Sequence, residues 1–232
     1  MLIATMLARE LRRDGARPLL TWYDDGDNAR VELSVATAVN WAAKLANLLV
    51  DEYDVEPGHT VGVRLPAHWQ TAVLLLGVWT VGAGACVGGA GSVTFGPTDD
   101  SAADVGIALD PMGASLSRIA AAQPDAFVPP TPLHPQALAL AVGGQQWTHG
   151  ELGELAQSGA RHHGLGGSSR VLSTLGYDSR DGLDAGLVVP LAAGASVVLV
   201  TNPDRERLPT RCSTEQVTHT AGVTVDGLPR LD

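Results

Sequence analysis

From Thr71 to Gly96 the chain carries no charged side chain, and no other stretch limits its possible folds as strongly. A membrane-spanning helix needs about 20 apolar residues, and this run is long enough. Its second half, however, is crowded with Gly82, Gly84, Gly88, Gly89 and Gly91. Glycine marks turns and breaks in a soluble domain. The run therefore predicts a buried helix from His68 to Val81 and then a short strand through Ala85, Cys86 and Val87, with no membrane partner.

The rest of the chain agrees with a globular protein. Of its 232 residues, 45% are hydrophobic, enough to bury a core. The formal net charge of −10 repels phosphate backbones, which argues against a nucleic-acid partner and suits a cytoplasmic protein. Cys86 and Cys212 are too far apart in sequence to suggest a disulfide framework or a metal site. The N-terminus puts Arg9, Glu10, Arg12 and Arg13 after its apolar residues. A secretory signal has the opposite order, so an amphipathic helix is expected instead.

Local patterns give an alternating series. Leu19–Tyr23 and Val31–Leu33 read as a hairpin around the turn Asp24–Asn28. Ser34 caps a helix that runs to Val50. Thr60–Leu65 is a strand, 104–109 another, and Pro111–Ala122 a helix. Five prolines between Gln123 and Pro135 mark a crossing. Gln136–Val142 and Val171–Thr174 are strands, and His149–His162 and Arg180–Ala193 are helices. Ser196–Val200 (SVVLV) has the composition of a central strand. Strands alternating with helices predict an α/β fold with largely parallel sheets flanked by helices. The expected organisation is a first lobe over 1–123, the proline-rich crossing over 124–135 and a second lobe over 136–232.

Several segments, taken in order, carry a family resemblance. Pro57-Gly58-His59-Thr60-Val61, Leu65-Pro66-Ala67 and Gly77-Val78-Trp79-Thr80-Val81-Gly82-Ala83 are similar to the opening of acyl-CoA synthetases, luciferases and peptide-synthetase adenylation domains. WTHGEL (Trp147–Leu152) resembles the segment after that family's phosphate loop. The stretch from Arg170 to Val200 resembles its later strand–helix–strand unit, and VTHTAGVTVDGLPRL resembles a stretch that follows. The chain thus looks like the N-terminal lobes of an adenylate-forming, AMP-binding enzyme, cut down relative to the family. The resemblance implies that the adenine-binding motif, ribose-binding aspartate, hinge and mobile C-terminal domain would come after Asp232.

The departures bear on chemistry. The family's phosphate loop is rich in Gly, Ser and Thr and carries a lysine, so that backbone N–H groups, hydroxyls and one positive charge surround phosphate oxygens. Here the equivalent stretch is Gly143, Gly144, Gln145, Gln146 and Trp147, with no hydroxyl run and no lysine. The only lysine, Lys44, lies in the first long helix and reads as part of a solvated face. Tyr177-Asp178-Ser179 resembles the family's "FD-S", in which the aspartate meets a substrate amino group; from the residues alone, Asp178 also reads as a helix cap. His134, His149, His162 and His163 lack metal-ligand spacing, so no metal is expected.

The expected function is a non-catalytic, degenerate member of the family, a scaffold for a small ligand or a protein, with no catalytic residue and no cofactor. The alternative is an enzyme that keeps nucleotide or acyl-group binding in a remodelled interlobe cleft. Candidate ligand-binding residues are Gly143, Gly144, Thr148, His149, Tyr177 and Asp178, and the expected ligand is small and either polar or anionic. The strand ends before Gly143 and near Asp178 could converge on one cleft. A plain hairpin turn at Gly143-Gly144 is the competing reading. An uncovered sheet beside Ser196–Val200 calls either for a homodimer through the second lobe or for a tail folded back over it.

Overall fold

The computed structural model describes residues 1–231. In chain order the elements are α1 (Ile3–Asp14), β1 (Pro18–Asp24), β2 (Ala29–Ser34), α2 (Val35–Tyr53), β3 (Thr60–Val63), α3 (Trp69–Val81), β4 (Gly84–Val87), β5 (Val93–Pro97), β6 (Val105–Ile107) and α4 (Ala114–Ile119). There follow β7 (Leu138–Val142), β8 (Gln145–Thr148), α5 (His149–His162), β9 (Arg170–Ser173), α6 (Arg180–Leu183), a π-helical turn (Asp184–Val188), α7 (Val189–Ala193), β10 (Ser196–Thr201), α8 (Leu208–Thr214) and β11 (His219–Ala221). The fold is α/β. One sheet has the order β11-β9-β10-β1-β2 and the other β6-β5-β3-β4-β7-β8. All pairings are parallel except the hairpins β1–β2 and β7–β8, each at the edge of its sheet.

The sheets do not divide at the proline-rich crossing. The N-terminal hairpin β1–β2 joins the later strands, with Leu20 opposite Val197 and Trp22 opposite Leu199. Hairpin β7–β8 joins the earlier ones, with Ala85 opposite Leu140. Main-chain pairing between strands far apart in sequence is invisible to local patterning, because each strand edge accepts any partner of the right direction. One continuous core takes Trp22 and Leu199 from the first sheet and Val61, Phe95 and Leu140 from the second.

The chargeless run forms the predicted buried helix, with His68 as its cap rather than its first residue. Nearly every residue of α3 is buried. A Cβ on Gly77 would stand 2.9 Å from Leu45 Cβ and 3.2 Å from the Ala42 oxygen, so glycine lets α2 pack closely against α3. Trp79 Nε1 donates to the Ala139 oxygen at 2.8 Å, tying α3 to β7. No helix among the described residues is long and apolar enough to cross a membrane.

Other expectations need adjustment. The helix expected over Pro111–Ala122 shrinks to α4, because Gly113 just before it is left-handed (φ 64°). The helix expected over Arg180–Ala193 contains the π-helical turn at Asp184–Val188. Strands β5, β8 and β11 and helix α8 were not expected. Lys44 is not on a solvated face: it pairs with Asp125 at 2.7 Å and donates to the Gln123 oxygen at 2.8 Å. With Asn47, which donates to the oxygens of Pro124 and Ala126, it pins the start of the crossing to α2.

Along β10, alternate side chains enter different cores. Val197 and Leu199 join the main one, with Leu187 and Leu191 of the π-turn and α7. Val198 and Val200 join a smaller one, with Leu172, Leu208 and Cys212. Val223, Val225 and Leu228 pack onto the smaller core, and Thr220 N and Leu231 N bond Pro229 O and Thr220 O at 2.9 Å each. The segment after β11 thus folds back over the sheet, one of the two arrangements left open by the sequence.

The start of α6 leaves no room for a side chain at Gly182, where a Cβ would run into the Gly176 carbonyl oxygen. Gly182→Ala is expected to lower stability by about 3 kcal/mol, the upper end for overpacking against atoms that cannot move aside. Gly166→Ala, whose Cβ meets open space, should stay within about 0.5 kcal/mol of the parent. Midpoints of urea unfolding check both.

Candidate functional site

The structure does not gather the six residues singled out from the sequence into one cavity. Gly143 and Gly144 form the exposed two-residue turn of hairpin β7–β8, both with positive φ (58° and 77°), as a type I′ turn requires. A Cβ on either would meet nothing within 4 Å. Thr148 caps α5 in a capping box with Glu151: its hydroxyl accepts from Glu151 N at 3.2 Å while Thr148 N donates back to the carboxylate at 2.9 Å. His149 is buried against the Gly82 and Ala83 backbone. Tyr177 is a core residue whose hydroxyl donates to the Gly186 oxygen at 3.0 Å. Asp178 is exposed, and the cap of α6 is Ser179, whose hydroxyl accepts from Gly182 N.

Only Asp178 of these lines a cleft, a hollow of about 340 Å³ shared with Arg64, Gly88 and Asp100. It lies beyond the carboxyl ends of β3, β4 and β5. Arg64 is already engaged there, with Asp100 at 2.5 Å and the Gly88 oxygen at 3.2 Å.

A second and larger cleft, of about 410 Å³, opens beyond the carboxyl ends of β1, β9 and β10. The topology explains its place. After β9 the chain crosses to β10 by α6 and α7, which pack on one face of the sheet; after β10 it returns past β9 to β11 by α8 on the other face. Connections that leave adjacent strands toward opposite faces open a crevice between them, where open α/β sheets bind ligands. Thr174–Gly176 and Thr201–Pro203 line this crevice from the sheet, and Pro66–His68 and Leu109–Pro111 close it from the other side. Pro66 borders both clefts.

His68 is the most constrained group in the cleft. It is 4% exposed, its Nδ1 accepts from Gln70 N at 3.2 Å as the cap of α3, and its ring meets Trp22 edge-on at 4.2 Å. Burial pushes its pKa down to about 4, against the opposing pull of Asp110 and Asp24. Asp24 is fixed by Asn202 Nδ2 at 3.0 Å and by Gly26 N at 2.8 Å. Burial raises its pKa, but these hydrogen bonds outweigh burial and hold the carboxyl below its usual range. Asp110 accepts from Ala114 N at 3.1 Å. The sequence reading missed Trp22, Asp24, His68, Asp110 and Asn202, because they come from four separate segments of the chain. The one available signal was Pro66-Ala67-His68 immediately before the chargeless helix.

The histidine gives a pH signature. Its folded pKa is depressed from 6.5, so the unfolded chain takes up a proton first as pH falls. The stability it contributes is present above pH 6.5 and is lost as pH falls toward about 4. His68→Asn keeps a capping acceptor and removes the titration. Over this window the parent should lose up to about 1.4 kcal/mol per pH unit more than the variant. Melting curves at half-unit pH steps check it; parallel pH profiles would refute the assignment.

No family model matches the chain. A TIGR03089 family protein of Mycobacterium tuberculosis (strain ATCC 25618 / H37Rv) is 38% identical over 237 aligned positions, covering 90% of this chain and 93% of that one. Among solved structures, a benzoate CoA ligase from Burkholderia xenovorans LB400 matches with TM-score 0.79 at 17% identity, over 99% of this chain and 53% of that one. MatB from Rhodopseudomonas palustris matches with TM-score 0.78 at 18% identity, over 96% and 50%. The N-terminal domain of FACL13 from Mycobacterium tuberculosis matches with TM-score 0.77 at 15% identity, over 96% and 62%. The chain thus has the fold of the N-terminal domain of adenylate-forming ligases and spans about half to three-fifths of those solved chains.

Proposed function

The chain belongs to the TIGR03089 family, and from that premise we propose that it uses the adenylate-forming fold as a small-ligand-binding scaffold and does not form acyl-adenylates. The observation that carries this reading is hairpin β7–β8. Where the resemblance places a phosphate loop, Val142 and Gln145 pair directly across a two-residue turn. A turn this tight leaves no run of free N–H groups curved around an anion, and no hydroxyl or lysine side chain sits in it. The single lysine is committed to Asp125 at the start of the proline-rich crossing.

The second reading, an enzyme that keeps nucleotide or acyl-group binding, draws on the open cleft beyond β1, β9 and β10. Two measurements separate them. Pyrophosphate exchange over a panel of fatty, aromatic and amino acids is expected to stay at blank; exchange with any one acid would overturn the scaffold reading. A thermal-shift screen with ATP, AMP, CoA and acyl-adenylate analogues is expected to leave the melting temperature unmoved. Binding at a hundred times Kd would add about 2.7 kcal/mol and favour the enzyme.

A further inference from the structure

We propose that the cleft beyond β1, β9 and β10 receives a small organic amine that also bears a neutral hydrogen-bond acceptor, such as an amino amide. The proposal rests on the reading of this chain as a ligand-binding scaffold and names the class of ligand.

Charge is the first observation. Asp24, Asp27 and Asp110 line the cleft, and no lysine or arginine does. Arg205 and Arg230 line a separate hollow that shares only Thr174 and Pro203 with it, and Arg207 and Arg211 lie beside Asp25, outside the cleft lining. Asp24 is held in place by Asn202, which is itself fixed in a left-handed turn (φ 49°). Asp27 is exposed at the mouth. A carboxylate or phosphate entering here would meet three like charges and no basic side chain in the lining, whereas an ammonium group would be attracted by all three.

A donor on a buried histidine is the second, independent observation. Trp22 is 3% exposed and lines the cleft, with its indole N–H sealed beneath the wall, where it reports on the cleft without touching a ligand. His68 is as deeply buried and also lines the cleft. Because its Nδ1 accepts from Gln70 N, the proton of the neutral ring is on Nε2. Among the described residues the only hydrogen bond to the ring is the one at Nδ1, which leaves the Nε2 N–H unpaired on a side chain that lines the cleft, and such a donor calls for an acceptor. A carbonyl or hydroxyl oxygen on the ligand supplies one without the repulsion a carboxylate would suffer. Leu109, Leu175 and Val200 offer apolar wall for a hydrocarbon part, and about 410 Å³ is within the range of small-molecule sites.

The test uses three probes of one shape: phenylalaninamide (cationic), N-acetylphenylalaninamide (neutral) and N-acetylphenylalanine (anionic). Each is titrated into the ¹⁵N-labelled full chain, following the Trp22 indole N–H, assigned with Trp22→Phe, and the Asn202 amide. Phenylalaninamide is expected to shift both signals saturably, the neutral probe more weakly, and the anion not at all at the same concentration. Asp27→Asn and Asp110→Asn should each weaken phenylalaninamide about threefold or more, as loss of one nearby charge requires. Asp110 also caps α4, so Asp27→Asn, in an exposed turn, is the decisive variant. Equal or tighter binding of the anion, shifts centred elsewhere, or an unchanged affinity in Asp27→Asn would overturn the amine assignment. So would silence from all three probes. None of these outcomes bears on pyrophosphate exchange, so failure of the ligand class and failure of the scaffold reading are told apart.

Discussion

The all-round burial of α3 is the constraint on which the rest of the structure depends. A helix with no polar face cannot lie on a surface, so it must be enclosed by other elements. Here α2 covers one side, strands β3 and β4 of one sheet another, and β1 of the second sheet a third. The two sheets are joined through this helix rather than through a flexible boundary. That is why one core runs through both, and why the N-terminal hairpin can sit beside strands from the far end of the chain. The first turn of α3 then becomes a fixed point at the mouth of the cleft, and His68 takes its position from the helix it caps.

How much of this the sequence reveals depends on the range of the interactions involved. α3, α5 and β10 are legible because their signals are local: an unbroken apolar run ended by Gly82, a Thr148–Glu151 capping box, and a run of β-branched residues in Ser196–Val200. β8 and β11 are not, because four or three residues of mixed polarity become strands only when a partner's backbone is at hand. The composition of the sheets was illegible for the same reason, since the contact of Trp22 with Leu199 spans most of the chain. At the site, the Gly143-Gly144 turn was within reach, because two consecutive glycines ahead of an extended segment are themselves a hairpin signal. Trp22, Asp24 and His68 were not, since only the topology brings the end of β1 and the segment before α3 to one crevice.

Charge is distributed unevenly in this acidic protein, and the arrangement has a structural logic. Several of its arginines are committed to holding elements together. Arg170 pairs with Glu215, and Arg30 meets the same carboxylate at 3.2 Å. Arg211 pairs with Asp25 at 2.6 Å and lies over the Tyr23 ring at 4.1 Å from its centroid. These contacts clamp α8 and the following turn onto β1 and β9. At the other side of the fold, Arg9 and Arg17 converge on the buried Glu10, at 2.7 and 2.9 Å, and join α1 to the α7–β10 turn. With this much positive charge engaged in joining elements, the cleft is left with carboxylates.

The β7–β8 turn has a consequence for how a fold of this kind changes over time. A side chain on either of its two glycines would meet nothing within 4 Å, and the strands on either side are already in register. Extra residues between Val142 and Gln145 would extend into solvent without moving any packed atom. The entropic cost of a longer loop grows slowly, by about 0.6 kcal/mol for each doubling of its length. Gaining or losing a phosphate-binding segment at this position is therefore a near-neutral insertion or deletion, separable from the stability of the domain. The same position offers a protein engineer a graft point at which an anion-binding loop can be installed without redesigning the core.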